Sequence, residues 1–391
     1  MKSLLYLVAG GVLALLPSLA AQSHVILEIL RIPDGGIQPR VEIGPSGTIH
    51  LVYFQGNPME GDVFYVKRQS NSDEWSHPIQ VNHRPGSAIA AGTIRGPQMA
   101  LGRGERVHVA WMGSGKVSTP AKEEGKHPTH PMLYTRLTND RSSFEPERDV
   151  LTWTAGLDGG GTVAADGEGH VYVAWHGKPA HSSTNEYGRA VYVTHSANDG
   201  KSFDRETQAN PHSTGACGCC GMRGFADSRG RLHLLYRMAD EVNRDMGHLI
   251  SENQSRSFAL YNVSPWQTQT CPMSSAAFAE GPAGILLATE TEAKVDARLL
   301  QSKSKDLTTP SGIKPGTRNG KHPSIAINSQ GDTLFVWSEG AGWKRGGTLK
   351  WELHDKSGQL LSTSGLDAKP IPEWSFCSAV NKADDSFVIV Y

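Results

Sequence analysis

Residues 216–237 read ACGCCGMRGFADSRGRLHLLYR. The second half is a β signal: a turn at Gly230, then alternation from Arg231 to an aromatic end at Tyr236. The same unit recurs along the chain, ending each time in an aromatic residue. Its copies are residues 39–53 (PRVEIGPSGTIHLVY), 97–111 (PQMALGRGERVHVAW), 161–175 (GTVAADGEGHVYVAW), 222–236, 323–337 (PSIAINSQGDTLFVW) and 377–391 (CSAVNKADDSFVIVY). A looser seventh copy runs from Cys271 to Thr289 with an insertion at its turn. The intervals hold further strand-like runs, clearest at residues 62–68 (DVFYVKR), 132–137 (MLYTRL) and 189–195 (RAVYVTH).

Four strands per repeat of roughly 40–60 residues is the pattern of a β-propeller. Seven inner hairpins predict an all-β single propeller of seven four-stranded blades, with six blades as the next count. The last copy stops after two strands at Tyr391. The run at residues 24–32 (HVILEILRI) is therefore expected to complete that blade and close the ring, which removes two open sheet edges.

Composition sets the outer limits. The chain has 391 residues, net charge −1 and 43 glycines. Its charges are interspersed, which argues against a nucleic-acid partner. Met1-Lys2, the apolar run to Leu16 and the small residues at 18–21 read as a secretory signal over residues 1–20, with cleavage as late as residue 23 also fitting. The propeller then occupies residues 24–391, exported to the periplasm or beyond, and no second segment is long and apolar enough to span a membrane. The oligomeric state is left open. Five cysteines is an odd number, so at least one is free, intermolecular or a ligand.

A second signature sits between outer strands. Residues 196–203 (SANDGKSF) resemble the Asp-box, S-x-D-x-G-x-T-W, of the sialidase-like BNR-repeat propellers. Residues 251–258 (SENQSRSF), 137–144 (LTNDRSSF) and 70–75 (SNSDEW) are weaker copies. The resemblance covers most of the mature chain and implies a glycan-directed protein with a pocket at one mouth of the channel. It carries fold further than activity, because one fold hosts many chemistries. Sialidases have six blades, so a count of seven departs from that family.

In a propeller the starts of the innermost strands converge on one mouth. The fourteen-residue phase places Gln38, Arg95, Asp158, residues 217–223, residues 271–273, Lys321, His322 and Trp374 there. Arg31-Ile32-Pro33 looks like the family's Arg-Ile-Pro motif but is out of phase, and reads as the closing strand. Arg95 is in phase to bind a carboxylate, with Arg223 and Arg237 as further candidates. Hydrolysis of the sialidase type implies an acid aspartate and a tyrosine–glutamate nucleophile pair. Asp158, Tyr236 and Glu290 are the phased candidates. A full set of three arginines is not evident, so the resemblance leaves hydrolysis open. Trp343 and Trp374 are candidate sugar-stacking platforms, or packing between blades.

The cysteines admit two readings. In one, Cys217 or Cys219 pairs with Cys271 and staples adjacent blades. In the other, Cys217, Cys219, Cys220, Cys271, Met273 and His322 form a soft thiolate, thioether and imidazole site for copper or zinc, or a thiol-redox site. Strand alternation would put Cys217 and Cys219 on one face and Cys220 on the other. A third overall reading is a non-catalytic extracellular binding module.

Overall fold

The computed structural model describes residues 26–118, 129–180, 182, 188–301, 319–365 and 369–391. The expected export signal and His24 lie outside them. The alternating runs form seven sheets, antiparallel throughout except for the closing strand of the seventh. In chain order the inner hairpins are Ile37–Ile43 with Ile49–Asn57, Gln98–Leu101 with Val107–Met112, and Gly161–Ala165 with Val171–Pro179. Then follow Arg223–Ala226 with Leu232–Arg237, Ala276–Gly281 with Gly284–Thr291, Gly320–Ile327 with Thr333–Glu339, and Ser378–Asn381 with Phe387–Val390. These define blades one to seven. Blades one to four and blade six have four or more strands, while blades five and seven have three among the described residues.

Each innermost strand touches the innermost strand of the next blade, and the seventh touches the first. Side chains latch these strands together around the channel. Thr162 Oγ1 accepts from the Gly224 amide at 2.8 Å, Ser324 Oγ from Ala379 at 3.0 Å, and Ser378 Oγ from Val41 at 3.3 Å. The ring closes as the sequence predicts. Leu27–Leu30 runs parallel to Phe387–Val390, pairing Leu27 with Phe387 and Leu30 with Val390. The Ile32 amide extends the ladder to the Tyr391 carbonyl at 3.0 Å. Arg31 stacks over the Tyr391 ring in this closing segment, consistent with its phase.

The repeat's terminal aromatics explain the core. Tyr53, Trp111, Trp175, Tyr236, Trp337 and Tyr391 are all buried. All but Tyr391, in the seam between blades six and seven, are within 4% exposure. They fill the clusters formed where hydrophobic faces of adjacent blades meet. Two outer turns share one hydrogen-bond pattern. Ser196 Oγ accepts from Gly200 N and Asn198 Oδ1 accepts from Ser202 N, both at 2.9 Å. Ser251 Oγ and Asn253 Oδ1 do the same for Ser255 and Ser257. Phe203 leaves the first of these turns to meet Tyr134 of blade two edge-on at 4.8 Å.

Candidate functional site

The phase places Arg95, Asp158, Cys217, Cys219, Cys220, Met273, Lys321, His322 and Trp374 in the segments that lead into inner strands, at one end of the ring. That mouth is not an open pocket. Residues 88–96, between blades one and two, fold over it. Gln38, itself buried, donates from Nε2 to the Ala90 carbonyl at 2.5 Å and to the Trp374 carbonyl at 2.8 Å. Its Oε1 accepts from the Gly96 amide at 3.1 Å. The Ile94 carbonyl accepts from Gly160 N at 3.1 Å. A cavity of about 710 Å³ opens instead at the opposite end, between inner strands of all seven blades. The expectation of an open pocket at the start-side mouth is thus corrected: a non-repeating loop occupies it.

The glycine run beside Asp158 permits this closure. A Cβ on Gly160 would lie 2.0 Å from the Ile94 carbonyl oxygen, and one on Gly159 would lie 2.1 Å from that of Gly218. Backbone stands on both sides, so neither contact relaxes by side-chain movement. Gly160→Ala is expected to cost about 1–3 kcal/mol by overpacking, seen as a lower melting temperature. An unchanged melting temperature would show that the loop is not held here.

Arg95 and Asp158 do meet. Arg95 Nη2 lies 3.1 Å from Asp158 Oδ1, and its Nε donates to the Asp158 carbonyl at 2.5 Å. Arg95 Nη1 also holds the Ala91 carbonyl at 2.7 Å. The pair borders two tryptophans. A Cβ on Gly92 would touch both Arg95 Nη1, at 2.6 Å, and Trp343 Cζ3, at 3.0 Å. Trp343 is 53% exposed and meets Trp374 edge-on with ring centres 6.3 Å apart. Trp374 Nε1 has no hydrogen-bond partner among the described residues. Met273, Lys321 and His322 lie on the same shallow depression.

The other acid and arginine candidates fall elsewhere. Tyr236 is fully buried between blades three and four, its hydroxyl 2.9 Å from Thr214 Oγ1. Its place is that of the other five terminal aromatics, which is why it packs and does not face the mouth. Glu290 is fully buried too, 2.9 Å from Lys321 Nζ. Burial pushes its carboxyl up to about 7, against the opposing pull of Lys321. Arg223 lies below the loop, inside the channel, and reaches Gln98 Oε1 at 3.4 Å. Sequence reasoning missed its companion Arg40, which stacks over Phe376 at 4.4 Å. Burial, and then the charge of Arg223, lowers the Arg40 pKa. Both arginines take the second residue of their repeat, so the phase could have paired them.

Arg237 is fully buried beneath Trp266 and so is not open to a ligand carboxylate at the mouth. It donates to Ser274 Oγ at 3.1 Å, the Arg244 carbonyl at 2.7 Å, the Glu290 carbonyl and Thr291 Oγ1 at 3.4 Å. All four acceptors are neutral.

The cysteines gather beside it. Cys219 and Cys271 form a disulfide across blades four and five, and Cys217, Cys220 and Cys377 are free and buried. Residues 217–220 turn and do not run as a strand, with Cys220 N bonded to the Cys217 carbonyl at 3.3 Å. Strand alternation therefore does not separate the sulfurs: those of Cys217, Cys219 and Cys220 lie within 4.8 Å of one another. With two sulfurs tied in the disulfide, Cys217 and Cys220 alone of the four keep a free ligand atom, short of a tetrahedral zinc set. His322 points away to Ser275 Oγ at 3.1 Å. Burial, Lys321 and Arg40 push its pKa down to about 3. Burial would raise the Cys220 pKa, but hydrogen bonds from Cys217 and Ser274 and the charge of Arg237 outweigh it and hold the thiol below its usual value. The hydrogen bond to Cys220, and then burial, raises that of Cys217.

No protein-family model and no curated protein matches this chain. Solved structures match in fold. An ulvan lyase, described as a new family of polysaccharide lyase, aligns with TM-score 0.52 and 11% identity over 88% of this chain and 87% of that one. An α-L-arabinanase from Penicillium chrysogenum, complexed with arabinobiose, aligns with TM-score 0.51 and 11% identity over 84% and 96%. A NanB sialidase from Streptococcus pneumoniae gives TM-score 0.42 and 14% identity over 90% of this chain, which spans 64% of that one. At such identities the likeness to the lyase and the arabinanase is one of fold, and the fold is a seven-bladed β-propeller closed by its N-terminal strand.

Proposed function

We propose that this protein is an exported, carbohydrate-binding propeller that holds a glycan against Trp343 and Trp374 at the start-side mouth. The observation that carries the reading is the exposed Trp343 ring, 53% accessible, set edge-on to Trp374 and beside the Arg95–Asp158 pair. Aromatic faces stack on the apolar faces of sugar rings, while a flanking guanidinium and carboxylate supply hydrogen bonds to hydroxyls. The ulvan lyase and the arabinanase that share the fold act on carbohydrates, which supports the same class. Binding is favoured over sialidase-type hydrolysis. That chemistry needs an exposed tyrosine–glutamate pair, and here Tyr236 and Glu290 are both fully buried.

The test is a glycan array followed by titration of the best ligand. Trp343→Ala is expected to weaken binding at least tenfold, and Arg95→Ala to do so for acidic glycans in particular. Equal affinity of wild type and Trp343→Ala, or no glycan bound at all, would overturn the reading. Release of sugar from sialosides, ulvan or arabinan would overturn the preference for binding over catalysis.

A further inference from the structure

Three observations around the cysteines have no place in glycan binding. The first is contact. Cys217 Sγ lies 3.3 Å from Cys219 Sγ, whose disulfide partner Cys271 is exposed while Cys217 and Cys220 are buried. The second is an unbalanced charge. Arg237 is fully buried, and among the described residues no carboxylate lies within salt-bridge distance of it; its four acceptors are neutral oxygens. The Glu290 and Asp245 carboxylates act on it only through space, and a buried guanidinium with no directly bonded counter-ion is costly. The third is a bridge. Ser274 Oγ accepts from Arg237 Nε at 3.1 Å and reaches Cys220 Sγ at 3.5 Å. Through Ser274, a Cys220 thiolate is placed to balance Arg237 together with those two carboxylates.

We propose that Cys217, Cys219, Cys220 and Cys271 form a thiol–disulfide exchange site that delivers a reactive thiolate to the surface at Cys271. As Cys217 Sγ attacks Cys219 Sγ, its proton passes to the hydrogen-bonded Cys220 thiolate in the same step, the Cys217–Cys219 bond forms, the Cys219–Cys271 bond breaks, and Cys271 leaves as a thiolate. No electrons are gained or lost in this step. The exposed Cys271 thiolate then attacks an external disulfide, forming a mixed disulfide and expelling one thiolate from that molecule. The lowered Cys220 pKa, set by hydrogen bonds from Cys217 and Ser274 and by the Arg237 charge against the opposing effect of burial, agrees with the thiolate that the geometry places there. The exchange connects two segments already held together. The Gly221 amide bonds the Ser274 carbonyl at 2.8 Å, and the Cys217 amide bonds that of Arg237 at 2.8 Å.

The experiment incubates folded, unreduced protein with oxidised glutathione at neutral pH, quenches in acid and maps disulfides by peptide mass spectrometry. Wild type is expected to carry glutathione on Cys271 together with a Cys217–Cys219 disulfide. Cys217→Ala is expected to lower the Cys271 adduct at least tenfold. Cys220→Ala is expected to slow it about as much at pH 7. Cys377→Ala, in the core between blades six and seven, should leave the rate unchanged. A wild type that keeps Cys219–Cys271 and gains no adduct overturns the proposal without recourse to any variant. So does an adduct that forms at the wild-type rate in Cys217→Ala, or purified protein in which all four sulfurs hold a copper or zinc ion.

Discussion

Deleting residues 26–32 is expected to abolish the monomeric native state. The segment supplies the third strand of blade seven, parallel to Phe387–Val390. Leu27 and Ile29 pack on the cluster between blades six and seven, while Leu30 and the buried Ile32 pack between seven and one. Each such side chain contributes roughly 1.5–3 kcal/mol when fully buried. Ile32 is buried and the other three are half-buried, so even at the low end the four together come to about 4 kcal/mol, against a whole-domain stability of about 5–15 kcal/mol. The deletion also uncovers the fully buried apolar strand 387–390 as an open edge, which invites pairing with another chain. The expected result is aggregation on size-exclusion chromatography and loss of the cooperative thermal transition. A synthetic peptide of residues 24–33, added in trans, should restore both in proportion to its concentration. A truncated protein that stays monomeric and melts within about 2 °C of wild type would refute closure by this strand.

That closure was legible because the repeat left a remainder. Six copies of one hairpin, each ending in an aromatic residue, fix a phase, and a blade with two strands at Tyr391 demands a third from elsewhere. The same phase carried the warning about Tyr236. A tyrosine in the position of Trp111 and Trp175 is an inter-blade plug before it is a nucleophile, and it is as buried as they are. The mouth was less legible because its closure is not periodic. Residues 88–96 belong to no repeat, and their hold on the channel runs through backbone carbonyls of Ala90 and Ile94, which any residue type would present. The cysteines fell between. Their convergence followed from phase, but which sulfur met Cys271 depended on a turn at residues 217–220 that strand alternation does not describe. Arg237 and Ser274 sit in different blades, 37 residues apart, so nothing local in the sequence pairs them.

Lys321→Met is expected to be the most damaging single side-chain change near the site, and its damage should depend on pH. Lys321 Nζ lies 2.9 Å from Glu290 Oε1 and 3.0 Å from the Pro272 carbonyl, so it joins a buried carboxylate to the residue after Cys271. In the wild type, burial outruns Lys321 and leaves Glu290 at about 7, above its usual 4.5. A carboxyl raised in the folded state adds stability that is complete below its unfolded pKa and lost as pH rises through the folded one. The window is therefore about pH 4.5 to 7, and the wild type should lose at most about 3 kcal/mol across it. Removing the ammonium takes away the main force that lowers this pKa. At pH 8 the variant must bury an uncompensated carboxylate or hold its proton, a loss of about 3 kcal/mol. At pH 5 Glu290 is protonated in the folded form of both proteins, so the difference should shrink to well under half of that. Glu290→Gln combined with Lys321→Met should recover most of the stability at pH 8, because no charge is then left unpaired. Urea titrations of the three proteins at pH 5 and pH 8 measure all of this. An equal loss at both pH values would mean that Lys321 acts through packing and the Pro272 contact, and that the charge of Glu290 plays no part.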